Sequence, residues 1–316
     1  MFFKPIRFLF FTFLLLWVMT ACHNKNTGDK DRLVIGVVGG DDPSEMYSNY
    51  KKLEPYFEKE TGIKKVDIFI SSDYASVIEA MRSRKVDIAH LGELSYLMAV
   101  DRAGAEAFAM TGTADGMRLQ TSLILTGSKS DIKNIDDVKK RSKELTLSFS
   151  DPASTSGHLY PRNYLNSINM NPEKSFKSVQ FTSNYAAAVL NAISGKVDLA
   201  CTFNLALNRL EDKKMIKKDD FRIIWESEPY VATPIAYRKD LPEELKDKIK
   251  KAYINLPIKE PDLWEKFRRK IYNYYPPEIR EKLIYIPSDD SMYNGIRKIA
   301  RECKDFNFLN PKKKLE

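Results

Sequence analysis

Three consecutive hydroxyl residues stand in the run Asp151-Pro152-Ala153-Ser154-Thr155-Ser156-Gly157-His158, between an apolar segment ending at Phe149 and a stretch of helical spacing that starts near His158. At a helix N-terminus, side-chain O–H groups join backbone N–H groups that have no intrahelical acceptor. The helix dipole adds roughly half an elementary positive charge. Such a place suits an anion with several oxygens, for instance a phosphoryl or phosphonyl group. The same residues allow a plainer reading, in which Ser154 or Ser156 only caps the helix. From this segment by itself both readings stay open.

Catalysis is the rival chemistry. Serines beside His158 could suggest a hydrolase, but the chain has no Gly-x-Ser-x-Gly elbow. His158 is so near the serines in sequence that a base–nucleophile geometry is hard to build. His23 falls in a polar segment and His90 in a predicted strand, and no cluster has metal-ligand spacing. The expectation is therefore a binding protein with no catalytic residue, no metal and no cofactor.

What could position these residues is an alternation of strands and helices. Leu33–Val38, Val66–Ile70, Val86–Leu91 and Leu123–Thr126 read as short buried strands. Between them, 44–61, 74–84 and 95–103 carry helical spacing, the first stopped by Gly62. The pattern then restarts with strands at 145–149, 178–181 and 197–202 and helices at 135–140, 158–168 and 185–194. Segments 221–225 and 234–237 lead out of this second unit, and 241–316 is read as mostly helical. Strand alternating with helix implies mostly parallel sheets covered on both faces. The layout predicts two α/β lobes joined by two hinge crossings, lobe 1 from 33–126 plus 230–316 and lobe 2 from 127–229. Ligands of such sheets sit beyond the carboxyl ends of the strands.

At the front, Lys4 and Arg7 precede the apolar run Phe8–Val18, too short for a bilayer span of about 20 residues and suited to a signal peptide over 1–21. Met19-Thr20-Ala21-Cys22 resembles a lipobox, which would lipidate Cys22 and anchor the exported chain to the cell membrane through a tether over 22–32. The net charge of +8 includes Lys4 and Arg7. The remaining excess is interleaved with acids, as on solvated helix faces, so no nucleic-acid partner is expected. Cys201 and Cys303 form no metal or redox motif, and the reading favours no disulfide between them.

Over residues 33–260 the chain resembles the phosphate, phosphite and phosphonate substrate-binding proteins of ABC importers. Several segments carry the likeness: Asp73-Tyr74-Ala75-Ser76-Val77-Ile78-Glu79-Ala80, Lys85-Val86-Asp87-Ile88-Ala89, Leu91-Gly92-Glu93-Leu94-Ser95-Tyr96, Ser154-Thr155-Ser156-Gly157 with Pro161, and Gly195-Lys196-Val197-Asp198-Leu199-Ala200. Trp225-Glu226-Ser227 leading to Arg238-Lys239-Asp240-Leu241-Pro242 extends it. The resemblance implies a type II periplasmic-binding-protein fold and a monomer that hands a small oxyanion to an ABC permease. It also implies that Tyr74, Ser154, Thr155 and Ser156 hold the oxyanion. Tyr96 is left open between ligand contact and packing.

The departures from the family pattern bear on the ligand. Glu93 stands where proline is common, Tyr185 where many members have histidine, and Gln120 where an aromatic is common. The two acidic residues that aminophosphonate binders use are matched by Leu205, or Asn204 with a one-residue slip, and by Thr233. A buried ammonium without a carboxylate partner costs several kcal/mol, so an amine-bearing phosphonate is disfavoured. A lipid-anchored ligand sensor of the same fold is the remaining alternative to a transporter subunit.

Overall fold

The computed structural model describes residues 31–40, 42–116, 120–182, 184–230 and 233–303. The expected signal segment, Cys22 and most of the tether lie outside the described residues.

The strands are β1 (Arg32–Val38), β2 (Lys65–Ser71), β3 (Ile88–His90), β4 (Ala105–Gly112), β5 (Ser122–Gly127), β6 (Thr146–Phe149), β7 (Ser178–Phe181), β8 (Leu199–Phe203), β9 (Phe221–Glu226), β10 (Pro234–Arg238) and β11 (Ile284–Pro287). They form two sheets, one in the order β11-β4-β10-β3-β1-β2 and one in the order β7-β6-β8-β5-β9. Both sheets are mixed. In the first, β1 pairs parallel with β2 and β3, and β10 is inserted antiparallel between β3 and β4. In the second, β6 pairs parallel with β7 and β8, while β5 runs antiparallel to β8 and β9. Helices flank both, giving the two-lobed α/β fold expected from the alternation.

Particular elements differ from the expectation. The tether's last residue, Arg32, already opens β1, with its guanidinium on Asp67 at 2.5 Å. The helix predicted over 44–61 is two helices, Pro43–Lys51 and Glu54–Thr61. Pro55 lies in the first turn of the second; it has no N–H to donate and its ring would clash with the carbonyl four residues back, which separates them. Gly62 does stop the second helix, in the left-handed region at φ 74°. β4 went unpredicted because its sequence, AEAFAMTG, is rich in alanine, a weak strand former. It is made a strand by β10 and β11 on either side. β11 interrupts the C-terminal region read as helical. β5 belongs to the second sheet, so the chain leaves the first lobe between Gly112 and Ser122, ahead of the division expected at 126. It returns between β9 and β10, and the two crossings meet at a β-bridge in which the Tyr230 N–H donates to the Gln120 carbonyl at 3.0 Å.

Each sheet is covered by apolar side chains on both faces. One face of the first carries an aromatic cluster around Phe57, Tyr253, Trp264 and Tyr285, the other Val77, Met81, Leu94 and Tyr96. The second lobe packs Leu125, Val189 and Leu210 on one face and Leu147, Phe149 and Leu165 on the other.

Candidate functional site

A cavity of about 200 Å³ opens where the carboxyl ends of the parallel strands of both sheets converge. It is smaller than the roughly 300–1,000 Å³ typical of drug-sized ligands. The first lobe supplies Tyr74 after β2, Gly92 and Glu93 after β3, and Thr111 in β4. From the second come Asp151, Thr155 and Ser156 after β6, Tyr185 after β7, and Leu205 and Arg209 after β8. Gln120 and Thr233, from the two crossings, add to the wall.

Tyr74 begins the helix Tyr74–Arg82, whose first turn is held by the Asp73 carboxylate accepting the Ser76 N–H at 2.8 Å. Burial, together with nearby Tyr185, Asp151 and Glu93, pushes the Tyr74 phenol well above its ordinary value, so it is a neutral donor. It lines the cavity together with Tyr185. The Tyr185 hydroxyl, pushed up to about 12 by burial, meets Ser154 Oγ at 2.6 Å and Ser156 Oγ at 3.0 Å. Tyr185 therefore ties the hydroxyl run together from the position where a histidine was the common alternative.

The three hydroxyls have different duties. Ser154 is fully buried, accepts the Gly157 N–H at 2.9 Å and does not line the cavity, so the capping reading holds for it. Thr155 and Ser156 do line it. Thr155 opens a wide turn, Thr155–Leu159, in which the Tyr160 N–H reaches back to the Thr155 carbonyl. Across the cleft, Thr155 Oγ1 accepts the Leu94 N–H of the first lobe at 2.9 Å. Asp151, on the same loop, takes the Ala153 N–H at 2.6 Å and lines the cavity opposite Tyr74.

Tyr96 is not part of this site. It is fully buried, donates to Asp290 at 2.9 Å, accepts from the Ala107 N–H at 3.3 Å and packs its ring 5.0 Å from that of Tyr293. Of its two open readings, packing is the one the structure gives. His158 points away from the serines: Nδ1 meets the Pro152 carbonyl at 2.7 Å and Nε2 accepts from Arg162 Nε at 2.8 Å. Burial depresses it to about 3, so it is a neutral strut. His90 is held between the hydroxyls of Tyr50 and Tyr253. Cys201 and Cys303 are both buried, and Cys303 Sγ accepts from Asn166 Nδ2 at 3.5 Å.

Leu205 and Thr233 do lie on the wall at the positions matched to acidic residues. Carboxyls reach the cavity from other positions, since Glu93 and Asp151 both line it. Sequence reasoning also missed Arg209, whose guanidinium lies 5.5 Å over the Tyr274 ring, and the wall formed by Tyr272, Tyr274 and Tyr275. A signal existed in the dense tyrosines of Ile271-Tyr272-Asn273-Tyr274-Tyr275, set within a Lys- and Glu-rich stretch.

The model of the ABC-transporter phosphonate periplasmic substrate-binding proteins matches residues 35–273. The chain belongs to that family. A phosphonates-binding periplasmic protein of Escherichia coli is 32% identical over 254 residues, 80% of this chain and 74% of that one. A phosphate-import protein of Mycolicibacterium smegmatis is 25% identical, over 71% of each. A solved binding component of a phosphonate ABC transporter from Pseudomonas aeruginosa superposes with a TM-score of 0.76 at 26% identity, covering 90% of both chains. As a member of the phosphonate-binding family, this chain is an exported, periplasmic substrate-binding component of an ABC transporter; its relatives are transport proteins and not enzymes.

Proposed function

We propose that this phosphonate-family protein is a lipoprotein, anchored through Cys22, that binds a small phosphorus oxyanion between its lobes and presents the closed form to an ABC permease. The observation that carries the reading is the convergence of Tyr74 from one lobe and Thr155 and Ser156 from the other on one small cavity. Hydroxyls, phenols and the leading N–H groups of the turn at Thr155 are neutral donors, suited to an anion that must be released again. Tyr74, Ser156 and Tyr185 serve as direct donors, Gln120 and Thr233 shape the wall, and Ser154 holds the turn. Thr155 acts at the seam, so closure and binding use the same residue. The lipid anchor rests on the sequence Met19-Thr20-Ala21-Cys22.

A thermal-shift and calorimetry panel of phosphate, phosphite, methylphosphonate, aminoethylphosphonate and sulfate tests the reading. Thr155→Val is expected to weaken the best phosphorus oxyanion by about ten-fold or more, the cost of leaving a buried polar group unpaired. Unchanged affinity in that variant would remove Thr155 from the site, and a panel with no phosphorus ligand would remove the function.

A further inference from the structure

Glu93 is the first residue of the helix Glu93–Ala103, with Gly92 as its cap, and is only 2% exposed. It lines the cavity, and its Oε1 has no hydrogen-bond partner. The next residue, Leu94, donates its N–H to Thr155 Oγ1 at 2.9 Å, so Glu93 enters the cavity beside the hydroxyl run. An oxyanion that reaches Thr155 therefore comes close to this carboxyl. Two full negative charges that close, in a site this buried, cannot both stay ionised.

We infer that Glu93 selects the ligand by requiring a shared proton: the site takes phosphorus oxyanions that can carry a proton near neutral pH and refuses sulfate and sulfonates, which cannot. The inference rests on the oxyanion reading above. The proton lies between a carboxyl oxygen and a ligand oxygen, donated either by a P–OH to the carboxylate or by the protonated carboxyl to the anion, and the pair carries one negative charge less than its parts. A sulfonate has no such proton, so it leaves Glu93 as a bare carboxylate facing an anion.

The surroundings favour this over an ammonium partner. Burial raises Glu93 to about 7, with the Thr155 hydroxyl and its own N–H pulling the other way. The groups that feel it are the phenols of Tyr74, Tyr185, Tyr230, Tyr275 and Tyr293, all raised by burial and so neutral near pH 7. Among the described residues the other charged groups of the same cavity are Asp151, which takes the Ala153 N–H, and Arg209 beside Tyr274. No histidine lines the cavity among the described residues.

The test compares methylphosphonate, methanesulfonate and aminoethylphosphonate by calorimetry at about pH 7, on the purified protein and on Glu93→Gln, with Glu93→Ala as a second variant and thermal denaturation as the folding control. The native protein should prefer methylphosphonate over methanesulfonate by about 100-fold or more, since a site built around a hydrogen bond discriminates strongly against a ligand lacking it. In Glu93→Gln the gap should close to about ten-fold or less, mainly by gain of sulfonate binding, because an amide donates without charge. A gap that survives both substitutions overturns the inference while leaving the oxyanion reading intact. Selective loss of aminoethylphosphonate in the variants would also overturn it and make Glu93 an ammonium partner. Binding of none of the three by the native protein would instead overturn the proposed function on which it stands.

Discussion

Burial of the Glu93 carboxyl puts a pH dependence into stability as well as into binding. Its pKa is raised from 4.5 to about 7 on folding, so the stability it leaves in place below 4.5 is lost as pH rises through 7. His90 and His158 act in the opposite sense: each is depressed from 6.5 to about 3, so their contribution is present above 6.5 and is lost as pH falls towards 3. Glu93→Gln isolates the first effect because it leaves both histidines alone. Measured without added oxyanion, the Tm advantage of Glu93→Gln over the native protein should be small at pH 5 and grow by a few degrees at pH 8.5, on the order of 2–3 kcal/mol. An advantage that is flat with pH would mean the carboxyl is not held in a desolvating site. Glu93 was visible in the sequence only as a departure from the common proline, and what made it significant is the fold that closes around it. Tyr74 and the Ser-Thr-Ser run were legible because their types already name the chemistry.

The turn Thr155–Leu159 depends on one glycine for reasons of space. A Cβ on Gly157 would come within 2.5 Å of Ser150 Cβ and 3.0 Å of Tyr185 Cε1. Ser150 cannot easily yield, since its Oγ donates to the Cys201 carbonyl at 2.8 Å. Gly157→Ala is therefore expected to cost about 1–3 kcal/mol in denaturant unfolding and to weaken oxyanion binding by displacing Tyr185 from Ser154 and Ser156. Full stability with native affinity would show that the turn has slack. Regular elements with alternating or helical apolar spacing were readable from the sequence, including β1, β2 and the helices at 74–82 and 185–193. β4 and β11 were not, because alanine and a four-residue segment carry little local preference and their strand character comes from neighbours far along the chain. The break at Lys52-Leu53 was legible in principle from Pro55.

At the scale of the whole molecule, a direct bond across the cleft couples the lobes. The Leu94 N–H on Thr155 joins a helix start in the first lobe to the loop after β6 in the second. Ligand that stabilises this seam should shift the population towards closure. Small-angle scattering with a saturating phosphorus oxyanion should show a smaller radius of gyration than without it, and an unchanged radius would count against hinge closure. The two-lobed plan was legible from the restart of the strand–helix alternation, but the position of β5 was not, since its apolar run fits either sheet. The insertion of β10 between β3 and β4 has a further consequence for how the protein is made. A polypeptide secreted N-terminus first delivers residues 32–112 well before Pro234–Arg238, so the middle slot of that sheet stays vacant and two strand edges stay unpaired meanwhile. The second sheet draws only on 122–226 and can be completed earlier, so biogenesis has a built-in order that runs against the order of the chain.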